Sequence, residues 1–175
     1  TNGGWTQCHA SAMGAPIGTS AGNVLSNCSG QYLMMAGRVT GSDEFMLLAQ
    51  STYADVTFNT GSGTQTVHNS NGSNWYFAPS WSWGFADVSD SVWLNSCDIN
   101  AGAKSMCLHT LDWTGGYRIS DVFALNGSTS YEKVFFVSNG DVAAEVPEPA
   151  SLGLLGLGLF AIGALRRTTK KAARA

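Results

Sequence analysis

From Tyr32 to Val137 the chain alternates short apolar stretches with clusters of Gly, Ser, Asn and Thr. Short runs rich in aromatic and β-branched residues, bounded by turn residues, are the pattern of strands. The alternation predicts them at Tyr32–Val39, Phe45–Ala49, Ala54–Phe58, Thr64–His68, Trp75–Phe77, Trp81–Ala86, Ser91–Leu94, Lys104–His109, Tyr117–Val122 and Tyr131–Val137. Turn signals such as Thr40-Gly41-Ser42, Gly61-Ser62-Gly63, Asn71-Gly72-Ser73 and Asn126-Gly127-Ser128 separate them. The run Phe45-Met46-Leu47-Leu48 has no clear period. It reads equally as a buried strand or as a short helix capped by Ser42 or Asp43. No convincing long helix and no repeat of 20 to 50 residues interrupts this pattern. The expectation is an all-β body, a β-sandwich or jelly roll.

Within that pattern Trp81, Trp83 and Phe85 recur at every second position. In a strand they point to one face, with Ser82, Gly84 and Ala86 on the other. Two readings stay open. The three rings form the core of the sandwich, or they stand exposed as a platform for sugar rings. Large aromatics are costly to leave wet, so exposure would need a purpose. Trp75, Tyr76, Trp93 and Trp113 are the further candidates for such a surface.

After Gly140 the pattern changes. Residues 141–149 read as a linker stiffened by Pro147 and Pro149. Residues 150–165 carry no charge, and residues 166–175 carry five basic side chains. As a helix the uncharged stretch spans about 24 Å, short of a bilayer core of about 30 Å. Bilayer thinning and snorkelling of Arg166 and Arg167 could make up the difference. The stretch is therefore expected to be one C-terminal transmembrane helix. The basic end would stay in the cytoplasm and the body, residues 1–140, would lie on the outer side.

The net charge of −3 conceals a split. Four basic and all twelve acidic residues lie at or before Glu148, a net −8, and the five remaining basic residues occupy the last ten positions. An acidic body excludes the electrostatics of nucleic-acid binding. The four cysteines, Cys8, Cys28, Cys97 and Cys107, fall as two local pairs. In a glycine- and asparagine-rich body they read as disulfides Cys8–Cys28 and Cys97–Cys107 of an oxidising compartment, although four cysteines allow three connectivities. His9 and His109 stand near cysteines, so a metal site competes, but without any C-x-x-C spacing. Export needs a signal peptide. None is visible, and Thr1 in place of Met leads to the expectation that the numbering begins after its removal.

Candidate chemistry is sparse. There is no G-x-S-x-G, no H-E-x-x-H and no phosphate-binding glycine loop. Asp87, Asp90, Asp98 and Asp112 could supply a carboxylate pair for glycoside hydrolysis, but in such loops Asp is more often a turn residue. The body is expected not to be an enzyme and to need no cofactor. Calcium is the one ion for which oxygen ligands are at hand, from Asp43 and Glu44 in one loop and Asp87 and Asp90 in another.

The end of the chain adds a resemblance. Val146-Pro147-Glu148-Pro149-Ala150-Ser151, a Leu/Gly-rich span and then Arg166-Arg167 resemble the PEP-CTERM sorting signal of Gram-negative bacteria. Pro147, Glu148, Pro149, Arg166 and Arg167 are the positions that carry it. The resemblance implies recognition by an exosortase, a membrane-embedded cysteine protease-transpeptidase. It implies anchoring on the periplasmic side and then delivery to the cell surface or extracellular matrix, often among exopolysaccharide and biofilm. A sorting signal is an address and not an activity. The leading expectation is a structural, adhesive or polysaccharide-binding surface protein that binds polysaccharide or associates with itself. The alternatives are a membrane-anchored subunit of a larger complex or filament with its tail retained, and a secreted hydrolase.

Overall fold

The computed structural model describes residues 4–95, 97–99 (backbone only at 98 and 99) and 104–140. The chain divides into two units between Asp141 and Val142, and the first of them holds the described residues. The linker, the transmembrane helix and the basic end expected over 141–175 lie outside the described residues. Among the described residues no helix is long and apolar enough to cross a membrane.

The body is all-β. Among the described residues eleven strands form two antiparallel sheets and one small hairpin, with two single-turn helices. The first sheet has the order β1 (Thr6–Ala12), β11 (Tyr131–Ser138), β2 (Tyr32–Val39), β3 (Leu47–Thr52). The second has the order β10 (Arg118–Ile119), β9 (Met106–His109), β6 (Ser82–Asp87), β5 (Ser73–Ala78), β4 (His68–Ser70). The hairpin pairs β7 (Val92–Trp93) with β8 (Asp98–Ile99).

The two sheets share one apolar core, which makes them a sandwich. Leu33, Met35, Ala49 and Phe135 enter it from the first sheet, and Trp75, Phe77, Trp83, Phe85, Met106, Leu108 and Ile119 from the second. Strand alternation makes this possible: in β5 and β6 every second residue is a large aromatic, and register sets them opposite one another as Trp75↔Phe85 and Phe77↔Trp83. Trp83 stacks on Phe135 across the gap between sheets, with centroids 5.1 Å apart. Gly37 marks how closely the sheets approach there, because a Cβ on it would meet Ile119 at 2.7 Å.

The outer face of the second sheet is covered as well. Tyr76, Ala86 and Cys107 form a second cluster under Val92 and Cys97 of the hairpin region. The Cys97–Cys107 disulfide holds that cover to β9, and Cys8–Cys28 ties β1 to the segment before β2. With sequence separations of 10 and 20, each contributes roughly 3 kcal/mol in the chain-entropy account.

Four expected elements differ. Tyr117–Val122 is a strand only at Arg118–Ile119, where Ser120 follows with a positive φ of 55°. Ala54–Phe58, expected as a strand, overlaps α2 (Tyr53–Val56), because the Thr52 side chain accepts from the Asp55 amide and starts a helical turn. Thr64–His68 contributes only its last residue to a strand. Most of it is loop, tied down where Asn95 Nδ2 donates to the Thr60 and Thr64 hydroxyls and the Gly61 carbonyl. The Phe45–Leu48 run resolves as a strand that starts at Leu47. The Ser42 hydroxyl accepts from the Glu44 amide in a local turn and caps no helix. Three elements were not expected: β1, β8 and α1 (Gly22–Leu25).

Candidate functional site

The aromatic stripe of the sequence separates into two environments. Trp83 and Phe85 are buried in the core, as is Trp75, and Tyr76 is buried in the second cluster on the other face of the sheet. Trp81 lies just before β6, after Ser80 turns the chain through a positive φ of 61°. It is 39% exposed, and its indole N–H donates to the Leu94 carbonyl at 3.0 Å. Trp93 and Trp113 are more open still, at 56% and 76%. Trp81, Ser80, His109 and Leu111 line a hollow of about 290 Å³. Trp81 is thus tied to the segment that bears Trp93, and shares its hollow with the strand end that leads to Trp113.

A second concave surface lies on the outer face of the first sheet, and it follows from the register. One row across the four strands reads Gln7, Phe136, Met34, Gln50, and the next reads Ala10, Val134, Ala36, Leu48. The third pairs Glu132 with Arg38, whose Nε donates to the carboxylate. Ala10 and Ala36 thus make this a row of smaller side chains between two rows of larger ones. The Phe45 ring lies 5.6 Å from Phe136, edge to face, and 5.7 Å from the Arg38 guanidinium. It therefore spans the small row, and Ala36 and Val134 are fully buried although they face outward. Beside it opens a hollow of about 770 Å³ lined by Trp5, Gln7, Arg38, Asp43, Phe45 and Phe136, among others.

One of the expected calcium ligands, Asp87, has other partners. Asp87 accepts from the backbone N–H of Ser89 at 3.0 Å, from the Ser89 hydroxyl at 2.7 Å and from Lys104 at 3.1 Å. Those bonds, the backbone one first, bring its pKa down to about 2. Asp90 closes the same turn through its amide, which donates to the Asp87 carbonyl. Asp43 borders the sheet hollow, and Glu44 is exposed in the adjoining turn. Among the described residues no group of three His, Cys, Asp or Glu side chains is placed to hold a metal ion.

The densest polar cluster is one the sequence pattern did not single out. Asp55 on α2 accepts from His68 Nε2 at 2.6 Å, from the Thr52 hydroxyl at 2.7 Å, from Ser70 at 2.8 Å and from Ser51 at 3.1 Å. Phe58 stacks on the His68 ring at 4.6 Å. Ser51 belongs to the edge strand of one sheet, and His68 and Ser70 to the edge strand of the other, so the carboxylate clasps the open side of the sandwich. Burial alone would raise the Asp55 pKa. The bonds from His68, Thr52, Ser70 and Ser51 outweigh it and bring the pKa to about 2. A folded pKa below the unfolded 3.8 gives stability that is complete above that pH and is lost as pH falls through 2. For a partly exposed group we expect a loss on the order of 1 kcal/mol. Urea midpoints between pH 5 and 2 should show it in the wild type, and Asp55→Asn should abolish that part of the slope.

The positions that carry the sorting resemblance, Pro147, Glu148, Pro149, Arg166 and Arg167, lie outside the described residues. They are reached by sequence comparison instead. No curated protein and no solved structure matches the chain. Residues 145–167 match the PEP-CTERM protein-sorting motif. The tail read in the sequence is therefore that motif, and the chain that carries it is an exosortase-sorted protein exported to the cell envelope of a Gram-negative bacterium.

Proposed function

We propose that the body is a non-enzymatic polysaccharide-binding module, which the sorting tail brings to the cell surface or its matrix. The observation that carries this reading is the exposure of three tryptophans, Trp81, Trp93 and Trp113, in a chain that buries Trp75 and Trp83. An indole face left in water is costly, and it suits the C–H face of a sugar ring. The Asp55–His68 pair does not compete as a catalytic dyad. Both carboxylate oxygens are occupied by protein donors, and neither serine near it bonds to the imidazole.

Affinity electrophoresis of the full chain through gels containing soluble polysaccharides tests the reading. The wild type should be retarded by at least one of them. Trp81→Ala and Trp113→Ala should each weaken binding about tenfold, the loss expected for one stacked anchor, with unchanged circular dichroism. Wild-type mobility that no polysaccharide alters would end this proposal.

A further inference from the structure

The hollow on the outer face of the first sheet is more than an apolar surface. Its floor and walls hold three rings, Trp5, Phe45 and Phe136. Two of them are held in place: Phe45 and Phe136 meet edge to face, and the Arg38 guanidinium lies over the Phe45 ring. Rings held this way lose little freedom on binding. Polar groups stand among them: Gln7, Arg38 and Asp43. The volume of about 770 Å³ lies in the range of small-molecule sites, roughly 300–1,000 Å³.

We propose that this hollow is a second binding site, which takes an uncharged segment of a polysaccharide chain. Three observations favour that occupant. A sugar ring offers an apolar C–H face and a polar hydroxyl edge, the same pairing that the rings and the Gln7, Arg38 and Asp43 side chains present. Charge then selects among glycans. Glu132 already neutralises Arg38, Asp43 adds a negative charge, and the chain ahead of its basic end is net −8, so a polyanion is repelled. A second copy of the chain is disfavoured by the same residues, because the centre of a protein interface is depleted in charge and here the Arg38–Glu132 pair and Asp43 border the rings. The inference shares with the proposed function the premise that the body meets polysaccharide, but it names a different surface.

Isothermal titration of the full chain separates the two, with neutral glucan and galactomannan oligosaccharides as probes and alginate as the polyanion. The wild type should bind a neutral probe and bind alginate more weakly. Trp5→Ala and Phe45→Ala should each lower the affinity of this site about tenfold. The site lost in them should persist in Trp81→Ala and Trp113→Ala. If Phe45→Ala unfolds the protein, Gln7→Ala and Asp43→Ala, both at exposed positions, should still weaken binding. Unchanged titrations in the Trp5, Phe45, Gln7 and Asp43 variants would overturn the hollow as a site while leaving the tryptophan surface standing. Tighter binding of alginate would overturn the ligand class. Concentration-dependent dimerisation that Trp5→Ala abolishes, without any glycan binding there, would assign the face to a second copy instead. Failure of the wild type to bind any probe would remove both readings.

Discussion

Trp83→Ala should destabilise the protein by about 4 kcal/mol, in the range measured for large aromatic truncations in cores. Three independent losses coincide at this position. The ring is fully buried, so truncation leaves a cavity that two rigid sheets cannot close. It stacks on Phe135 of the opposite sheet at 5.1 Å and meets Phe77 of the neighbouring strand at 5.4 Å. Its indole N–H donates to the Val56 carbonyl at 2.8 Å and so pins α2 against the core. Against a total stability of roughly 5–15 kcal/mol, that is a large share. The matched control is Trp81→Ala, two residues away and 39% exposed, which should cost about 1 kcal/mol. Urea denaturation of both variants measures the contrast. Equal costs would mean that the two tryptophans do not occupy different environments.

The same contrast shows what alternation can reveal. The period of two correctly sets Trp83 and Phe85 on one face, and the strands β2, β5, β6 and β11 stand within one or two residues of their sequence-based ranges. Alternation does not reveal where a strand starts. Trp81 continues the period but falls before β6, because a left-handed residue at Ser80 reverses the chain there. Local hydrogen bonding competes with alternation elsewhere. Thr52 and Asp55 make a helical turn out of a stretch with apolar spacing, and polar side chains of this kind offer the backbone an alternative to the ladder. The strand β1, Thr-Gln-Cys-His-Ala-Ser-Ala, has no large apolar residue to announce it. It is held by its register with β11, a partner more than a hundred residues away.

The concave surface on the first sheet was illegible for a related reason. Its shape comes from a row of Ala10, Val134, Ala36 and Leu48 drawn from four strands. Nothing in any one stretch marks these residues, since smaller side chains are unremarkable until register aligns them between larger ones. The sorting tail lies at the other extreme. It is read by an enzyme as a linear motif, so Pro-Glu-Pro, span and basic end stand in order within 145–167. A linear signal survives without a fold, whereas a surface built across a sheet exists only in one.

A second large effect is expected at Lys133, which the sequence reading did not single out. Tyr131, Lys133, Phe135 and Val137 share the inner parity of β11, so the alternation itself sends a lysine toward the core. There its ammonium is fully buried and donates to the carbonyls of Ala12, Met13 and Ala15 at 2.6, 3.0 and 2.6 Å. These three carbonyls end β1 and turn the chain away from it. Gly115 packs on the same turn, where a Cβ would meet the Ala15 oxygen at 1.6 Å. Lys133→Met keeps the length of the side chain but leaves three carbonyls without their charged donor, a loss of about 1–3 kcal/mol each. Relief from burying the ammonium offsets part of this, and a net cost of about 4 kcal/mol is expected. The pH dependence identifies the cause. Burial lowers the Lys133 pKa from 10.5 to about 7. Between those values the unfolded chain holds a proton that the folded chain has released, so stability rises with pH across that interval. A neutral amine has only two N–H groups for three carbonyls, which works against the rise and limits it to the order of 2 kcal/mol. Urea midpoints from pH 7 to 9.5 should therefore climb in the wild type and stay level in Lys133→Met. A wild-type midpoint that falls over this range would mean that the three carbonyls hold the ammonium charged more firmly than burial expels its proton.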